Sequence, residues 1–221
     1  MLRQIVRLLH KEFLLEIKLK NGFFGLLLYV IGTVFICYLS FYLKTQKLVS
    51  ITWNAVLWII LFFGAVNAVA KSFMGERRER NLYYHYLASP EAILISKIIY
   101  NFFLLLLLIL LASGLLYSIF PLTIRDGWHF IGVLVAGSFS FSASLTLISS
   151  IASKSGSNAT LMTILSIPVI IPLLLLLIKM SNHAIDGLDP NLISNEWFTL
   201  GGINVIVGCV SYILFPYLWK S

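Results

Sequence analysis

Charge is what this chain has least of. Only 11% of its 221 residues are Asp, Glu, Lys or Arg, against roughly a quarter in a soluble domain. That shortfall excludes an ordinary soluble globular protein. Cysteine is scarce as well. Cys37 and Cys209 both fall in apolar segments, without the spacing of a metal site or redox pair. They read as small apolar core residues. No G-x-x-x-x-G-K-[ST] phosphate loop occurs, and no stretch between the apolar runs is long enough to hold an ATP-binding fold. The four histidines show no metal-ligand spacing of the H-E-x-x-H type, so no metal site is expected. No paired Asp, His–Glu or Ser–Lys constellation lies in the apolar runs, which argues against an intramembrane enzyme and leaves no catalytic residues. The formal net charge of +7 does not point to nucleic acid, because the basic residues sit in short segments between apolar runs. That is the distribution of loop charge in a membrane protein.

Hydrophobic residues make up 59% of the chain, in runs long enough to cross a bilayer. We expect an all-α polytopic membrane protein forming a single membrane domain over residues 1–221. Six spans are read: Phe23–Leu43, Ile51–Phe73, Ile93–Phe120, Trp128–Ile151, Ala159–Lys179 and Phe198–Trp219. The runs are continuous rather than alternating, which argues against a β-barrel. The first run is too long for a signal peptide and lacks a small-residue cleavage site, so no cleavable signal is expected. Twelve basic residues fall on one side of the predicted bundle and four (Lys44, Lys47, Arg125 and Lys179) on the other. The positive-inside rule places the side with twelve, and with it both termini, in the cytoplasm. The segment Ser181–Glu196 then reads as an outer loop.

Three segments carry further signal. Residues Leu2–Leu19 place Ile5, Leu8, Leu9, Glu12, Phe13, Glu16 and Ile17 at helical spacing, with Arg3, Arg7, Lys11 and Lys18 mostly opposite. This reads as an amphipathic helix in the cytoplasmic interface, an anchor for the first span, an elbow touching a cytoplasmic partner, or both. The segment Gly75–Pro90 (GERRERNLYYHYLASP) is the most polar in the chain. As a helix it places Glu79, Leu82, Tyr83, Tyr86 and Leu87 on one face and Arg78, Asn81 and His85 on the other. Arginine and aromatic residues carry interface energy, so this helix suits docking into a groove of another protein. The plainer reading is a solvated basic loop with internal pairing among Glu76, Arg77, Arg78, Glu79 and Arg80. Span four carries Ser138/Ser142 and Ser140/Ser144 at i, i+4, which favours close helix packing over a hydroxyl-lined path. The span interiors hold almost no ionisable residue, unlike an ion-coupled pump. Energy for any transport is therefore expected from a separate protein. His10, His85, His129 and His183 read as interfacial polar residues. Contact of His129 or His183 with a haem iron is the alternative, and no spacing supports it.

Span five (LMTILSIPVIIPLLLLLI) contains Pro168 and Pro172. Each removes a backbone donor and crowds the preceding turn, which membrane helices tolerate when neighbours satisfy the freed carbonyls. A kinked span is expected.

Together these features resemble the type-2 ABC exporter permeases, and more narrowly the CcmB family, the haem exporter protein B permeases of cytochrome c maturation. The double-proline pattern of that family corresponds here to Ala152, Ser153, Lys154, Ser155 and Gly156, then Leu161, Ile164, Leu165, Pro168, Val169, Ile171, Pro172, Leu173 and Leu174. Its F-x-x-[DE] motif corresponds to Phe73 and Glu76, with Glu79 following, and its closing motif to Leu87, Pro90 and Lys97. Where the family commonly has Asp-Gly, this chain has Arg80 or Asn81. The acidic residue that usually follows is replaced by Tyr83 or Tyr84, so the segment is more basic here.

The resemblance implies a subunit with no chemistry of its own in the bacterial cytoplasmic (inner) membrane. It implies a cytoplasmic CcmA-like ATPase subunit that binds ATP and docks on a coupling helix formed by Glu76, Arg77, Arg78, Glu79, Arg80, Leu82, Tyr83, Tyr86 and Pro90. It further implies a CcmC-like haem-handling membrane protein, a CcmD-like single-span subunit, a CcmE-like outer haem chaperone, and a homodimer or pseudo-dimer of permeases. Haem is implied as a substrate of the complex, by export or by delivery and release at the chaperone. Two other readings stay open on the residues: an exporter of a lipid, polysaccharide or drug, and a scaffold that relays ATPase motion and moves nothing.

Overall fold

A computed structural model describes residues 1–19, 21–42, 48–74, 89–154, 159–187 and 190–220. Among them are seven helices and no strand: α1 (Leu2–Leu19), α2 (Asn21–Tyr42), α3 (Ser50–Met74), α4 (Pro90–Ile119), α5 (Gly127–Lys154), α6 (Ala159–Asp186) and α7 (Pro190–Lys220). Six of these, α2 to α7, are long and apolar enough to cross a membrane. The chain is a multi-pass membrane protein, as its apolar runs predict.

Helix α5 is the most enclosed span, and α2 and α7 are the least. α5 packs on α3, α4, α6 and α7, and α4 packs on α1, α2, α3 and α7. Helix α5 is therefore the centre of the bundle, with α3, α4, α6 and α7 packed on it and α2 set against α3 and α4. One end of the bundle collects α1, the last turns of α3, α5 and α7, and the first turns of α4 and α6. It is called the basic end below, because the basic segments flank it.

Lipid is as apolar as leucine, so helices associate in a membrane through close packing and hydrogen bonds rather than hydrophobic burial. The small residues of α5 meet that need. Ser138, Ser140, Ser142 and Ser144 are all buried. Ser142 Oγ donates to the carbonyl of Ile98 at 2.6 Å, Ser149 Oγ to that of Val69 at 3.2 Å, and Asn204 Nδ2 to Ser140 Oγ at 2.8 Å. The serines thus bind α5 to α3, α4 and α7, in agreement with the packing reading.

Gly137 admits the Trp58 ring against the α5 backbone. A Cβ at Gly137 would lie 2.7 Å from the ring's Cη2 atom. Trp58 is fully buried and packs edge-on to Phe141 at 6.2 Å between ring centroids. We expect Gly137→Ala to lower stability by about 1–3 kcal/mol through overpacking. Gly201→Ala on α7, where a Cβ meets nothing within 4 Å, should be neutral or stabilising by up to about 1 kcal/mol. Thermal unfolding of the detergent-purified variants checks the pair.

Two sequence readings are corrected. First, Ser181–Glu196 is mostly helix rather than loop: α6 runs to Asp186 and α7 starts at Pro190. Gly187, at φ +69°, ends α6 in the left-handed conformation, and its amide donates to the carbonyl of His183 at 2.9 Å. Pro190 opens α7, where its missing N–H costs nothing. Second, the cysteines are not core residues: Cys37 is half-buried and Cys209 exposed, because they lie on the least enclosed helices. Lys97 lies inside α4, within the predicted third span, and is 2% exposed.

Candidate functional site: the two ends of the bundle

Helix α1 forms over the stretch its amphipathic pattern predicts, but its inner face meets protein. Ile5 is buried, while Arg3, Arg7 and His10 are exposed. Leu8 packs against a cluster of Ile93 and Leu94 from α4 and Phe215 from α7. Phe13 lies edge-on to Tyr100 at 5.5 Å and near Phe103 at 6.4 Å between ring centroids. Glu12 bridges to Lys97 Nζ at 3.7 Å and to Lys11 Nζ at 3.0 Å. A lysine at this burial needs a counter-charge, and α1 brings it one. α1, the start of α4 and the end of α7 are therefore joined by apolar contacts and an ion pair.

That junction borders the predicted coupling segment. Glu76, Arg77, Arg78, Glu79, Arg80, Leu82, Tyr83 and Tyr86 lie outside the described residues. Pro90 is described: it opens α4, with extended Ser89 at the N-cap position, and its missing N–H is one that a helix start leaves unpaired anyway. Whatever displaces residues 75–88 pulls directly on α3 and on α4, which begins at Pro90, seven residues before Lys97.

Pro168 and Pro172 both lie within a continuous α6, so the helix is not interrupted at either proline. Both are exposed on the outer surface of the bundle.

The opposite end holds polar groups whose grouping had no signature in sequence spacing. Glu196, 6% exposed, takes Lys179 Nζ at 3.1 Å and His183 Nδ1 at 3.1 Å, tying the end of α6 to the start of α7. Trp197 Nε1 approaches His129 Nε2 at 3.4 Å, with the rings edge-on at 5.5 Å. His129 is in the first turn of α5, and its amide donates to the capping Asp126 Oδ1 at 3.0 Å. Deeper in, Asn54 Nδ2 donates to the carbonyl of Ile178 at 3.0 Å and to Asn182 Oδ1 at 2.8 Å, and Trp58 Nε1 donates to Ser181 Oγ at 2.9 Å. Each half of this network comes from a different helix, so spacing along one segment carries no trace of it. No group of three His, Cys, Asp or Glu suited to a metal occurs among the described residues. His129 and His183, two of the four histidines read as interfacial, are each engaged by a neighbouring side chain.

A six-span, all-helical bundle with a docked amphipathic helix at its basic end is the architecture of a polytopic membrane permease. The family model for CcmB protein matches residues 3–215. The chain belongs to the CcmB family. Membership implies a permease subunit of the haem export and cytochrome c maturation ABC transporter. No curated protein and no solved structure matches the chain.

Proposed function

We propose that this chain is the membrane permease through which a partner's ATP hydrolysis is coupled to haem export, or to haem delivery and release, during cytochrome c biogenesis. The family match over residues 3–215 carries this reading. The chain performs no chemistry of its own; ATP binds the partner. The basic end faces the cytoplasm of a bacterial inner membrane, with both termini on that side, because twelve of sixteen basic residues flank it. The CcmA-like ATPase docks on the Gly75–Pro90 segment. ATP-driven closure moves α3 and α4 directly, and α1 follows through Glu12–Lys97 and the Leu8 cluster. The cycle does work only if its ligand binds the two conformations unequally. A CcmC-like protein, a CcmD-like subunit and a CcmE-like chaperone complete the assembly, with haem as its substrate.

Deletion of the gene, followed by a haem stain of membrane proteins for covalently attached haem, tests this. Loss of all c-type cytochromes, restored by the intact gene, is expected. Normal c-type cytochromes would instead move the weight to an exporter of another substrate.

A further inference from the structure

The inner side of α1 is taken up by α4 and α7; its outward side is not. We propose that this outward side is a binding site for anionic phospholipid of the leaflet at the basic end, with Arg3 and Arg7 on the headgroup phosphates and Val6 and Phe13 among the acyl chains.

The first observation is that α1 has three faces rather than two. Ile5, Leu8 and Glu12, at i, i+3 and i+7, form the face against the bundle. Val6 and Phe13, also at i and i+7, form a second face that is apolar yet exposed. Arg3, Arg7 and His10 form a third, exposed as well. No acidic residue precedes Glu12 in the chain, and Glu12 is turned inward onto Lys97 and Lys11. The basic face therefore has no counter-charge from its own helix in the first three turns. Of the basic side chains described, Lys11 and Lys97 pair with Glu12, Lys179 pairs with Glu196, and Arg125 donates to the carbonyl of Asp186. Arg3 and Arg7 have no partner among the described residues.

The second observation is depth. Leu8 packs on Phe215, which lies in the last turn of the membrane-crossing stretch Ser194–Tyr217. Arg7 adjoins Leu8, so the basic face stands where the hydrocarbon ends and headgroup phosphates begin. From there α1 descends along α4. Phe13 lies 6.4 Å from Phe103 between ring centroids, and Phe103 is exposed within the α4 span. Leu14, one turn below His10, is exposed too and continues that apolar surface. The exposed apolar face of α1 thus runs without a break into the lipid-facing side of α4. A bilayer covers the apolar face and answers the basic face with one surface. An acidic groove on the ATPase answers only the charge, which selects lipid as the occupant. Lipid held there presses α1 onto α4 and keeps Glu12 at Lys97, so leaflet composition acts on the joint that borders the coupling segment.

The test uses the full-length chain, purified in mild detergent and offered phosphatidylglycerol and phosphatidylcholine with the same acyl chains. Retained lipid is counted by mass spectrometry of the intact complex. The parent chain should prefer phosphatidylglycerol. A basic residue at an anionic lipid surface contributes about fivefold in affinity, so Arg3→Gln with Arg7→Gln should lower the preference roughly thirtyfold. Ten of the twelve basic residues on that side remain, so insertion persists. Arg3→Lys with Arg7→Lys keeps both charges and should retain most of the preference, and Arg125→Gln at the opposite end should leave it unchanged. With Cys37 and Cys209 replaced by alanine, a spin label on Val6→Cys in reconstituted vesicles should be relaxed by oxygen dissolved in the bilayer rather than by a water-soluble nickel chelate. Equal retention of the two lipids by parent and double variant, or a label reached mainly from water, would overturn the proposal. So would a double variant that keeps its lipid preference but loses the ATPase, since the basic face would then belong to that partner. These measurements are made on the chain and its lipid alone, so they stand or fall apart from the haem reading.

Discussion

Exchanging the charges of Arg78 and Glu79, as Arg78→Glu with Glu79→Arg, is expected to abolish recovery of the ATPase subunit with the permease. Covalent haem in membrane cytochromes should fall in parallel. The exchange leaves the number of charges in the loop unchanged, so the bias that orients the chain in the membrane persists and insertion should be normal. What changes is the position of each sign. In the helix that the segment pattern predicts, Arg78 and Glu79 fall on different faces, so the exchange turns each attractive contact with a groove into a like-charge juxtaposition. Interface residues of this kind contribute about 2 kcal/mol each when they are central. Losing two lowers affinity by roughly a thousandfold, enough to empty a complex during purification. Tagged permease, ATPase co-purification and a haem stain on the same cells measure it. Unchanged recovery of the ATPase would end the assignment of Gly75–Pro90 as the docking segment.

Glu12→Gln should destabilise the protein by about 2–3 kcal/mol, and adding Lys97→Met should bring stability back to within about 1 kcal/mol of the parent. The asymmetry follows from burial. The Lys97 side chain is 3% exposed and Glu12 lies 3.7 Å from its ammonium group. Removing the carboxylate leaves a charge at low dielectric without that counter-ion, whereas replacing both partners by neutral groups removes the need for one. The expected single-variant loss is set below the usual figure for breaking a buried pair, about 3–5 kcal/mol, because Glu12 keeps some exposure and also pairs with Lys11. Thermal unfolding of purified single and double variants gives the comparison. If Glu12→Gln costs no more than an ordinary surface substitution, the link between α1 and α4 is apolar only, through Leu8 and Phe13.

The same residue shows where sequence reading stops. Lys97 counts toward the basic end of the bundle, since the orientation reading uses only the tally. Its burial is invisible in the run PEAILISK, because what covers it is α1, more than eighty residues earlier. The α1 pattern gave the helix and its basic outer face but not its contact, as an apolar face can lie on lipid or on protein with the same spacing. The small residues of α5 pointed to close packing, and the structure supplies the partners, Ile98, Val69 and Asn204. At the far end, Glu196 reads as a loop acid until α6 and α7 extend toward each other and enclose it with His183 and Lys179.

By itself the sequence determined the class, the number of spans, the basic side and the family resemblance. These depend on composition, run length and local periodicity, which a membrane converts into structure segment by segment, since each helix satisfies its own backbone. The tertiary structure alone decided which polar groups find partners. Lys97 is held by α1, and Trp58 is seated on Gly137 and bonded to Ser181. Those outcomes depend on which helices become neighbours, and neighbour choice is a property of packing between segments far apart in the chain.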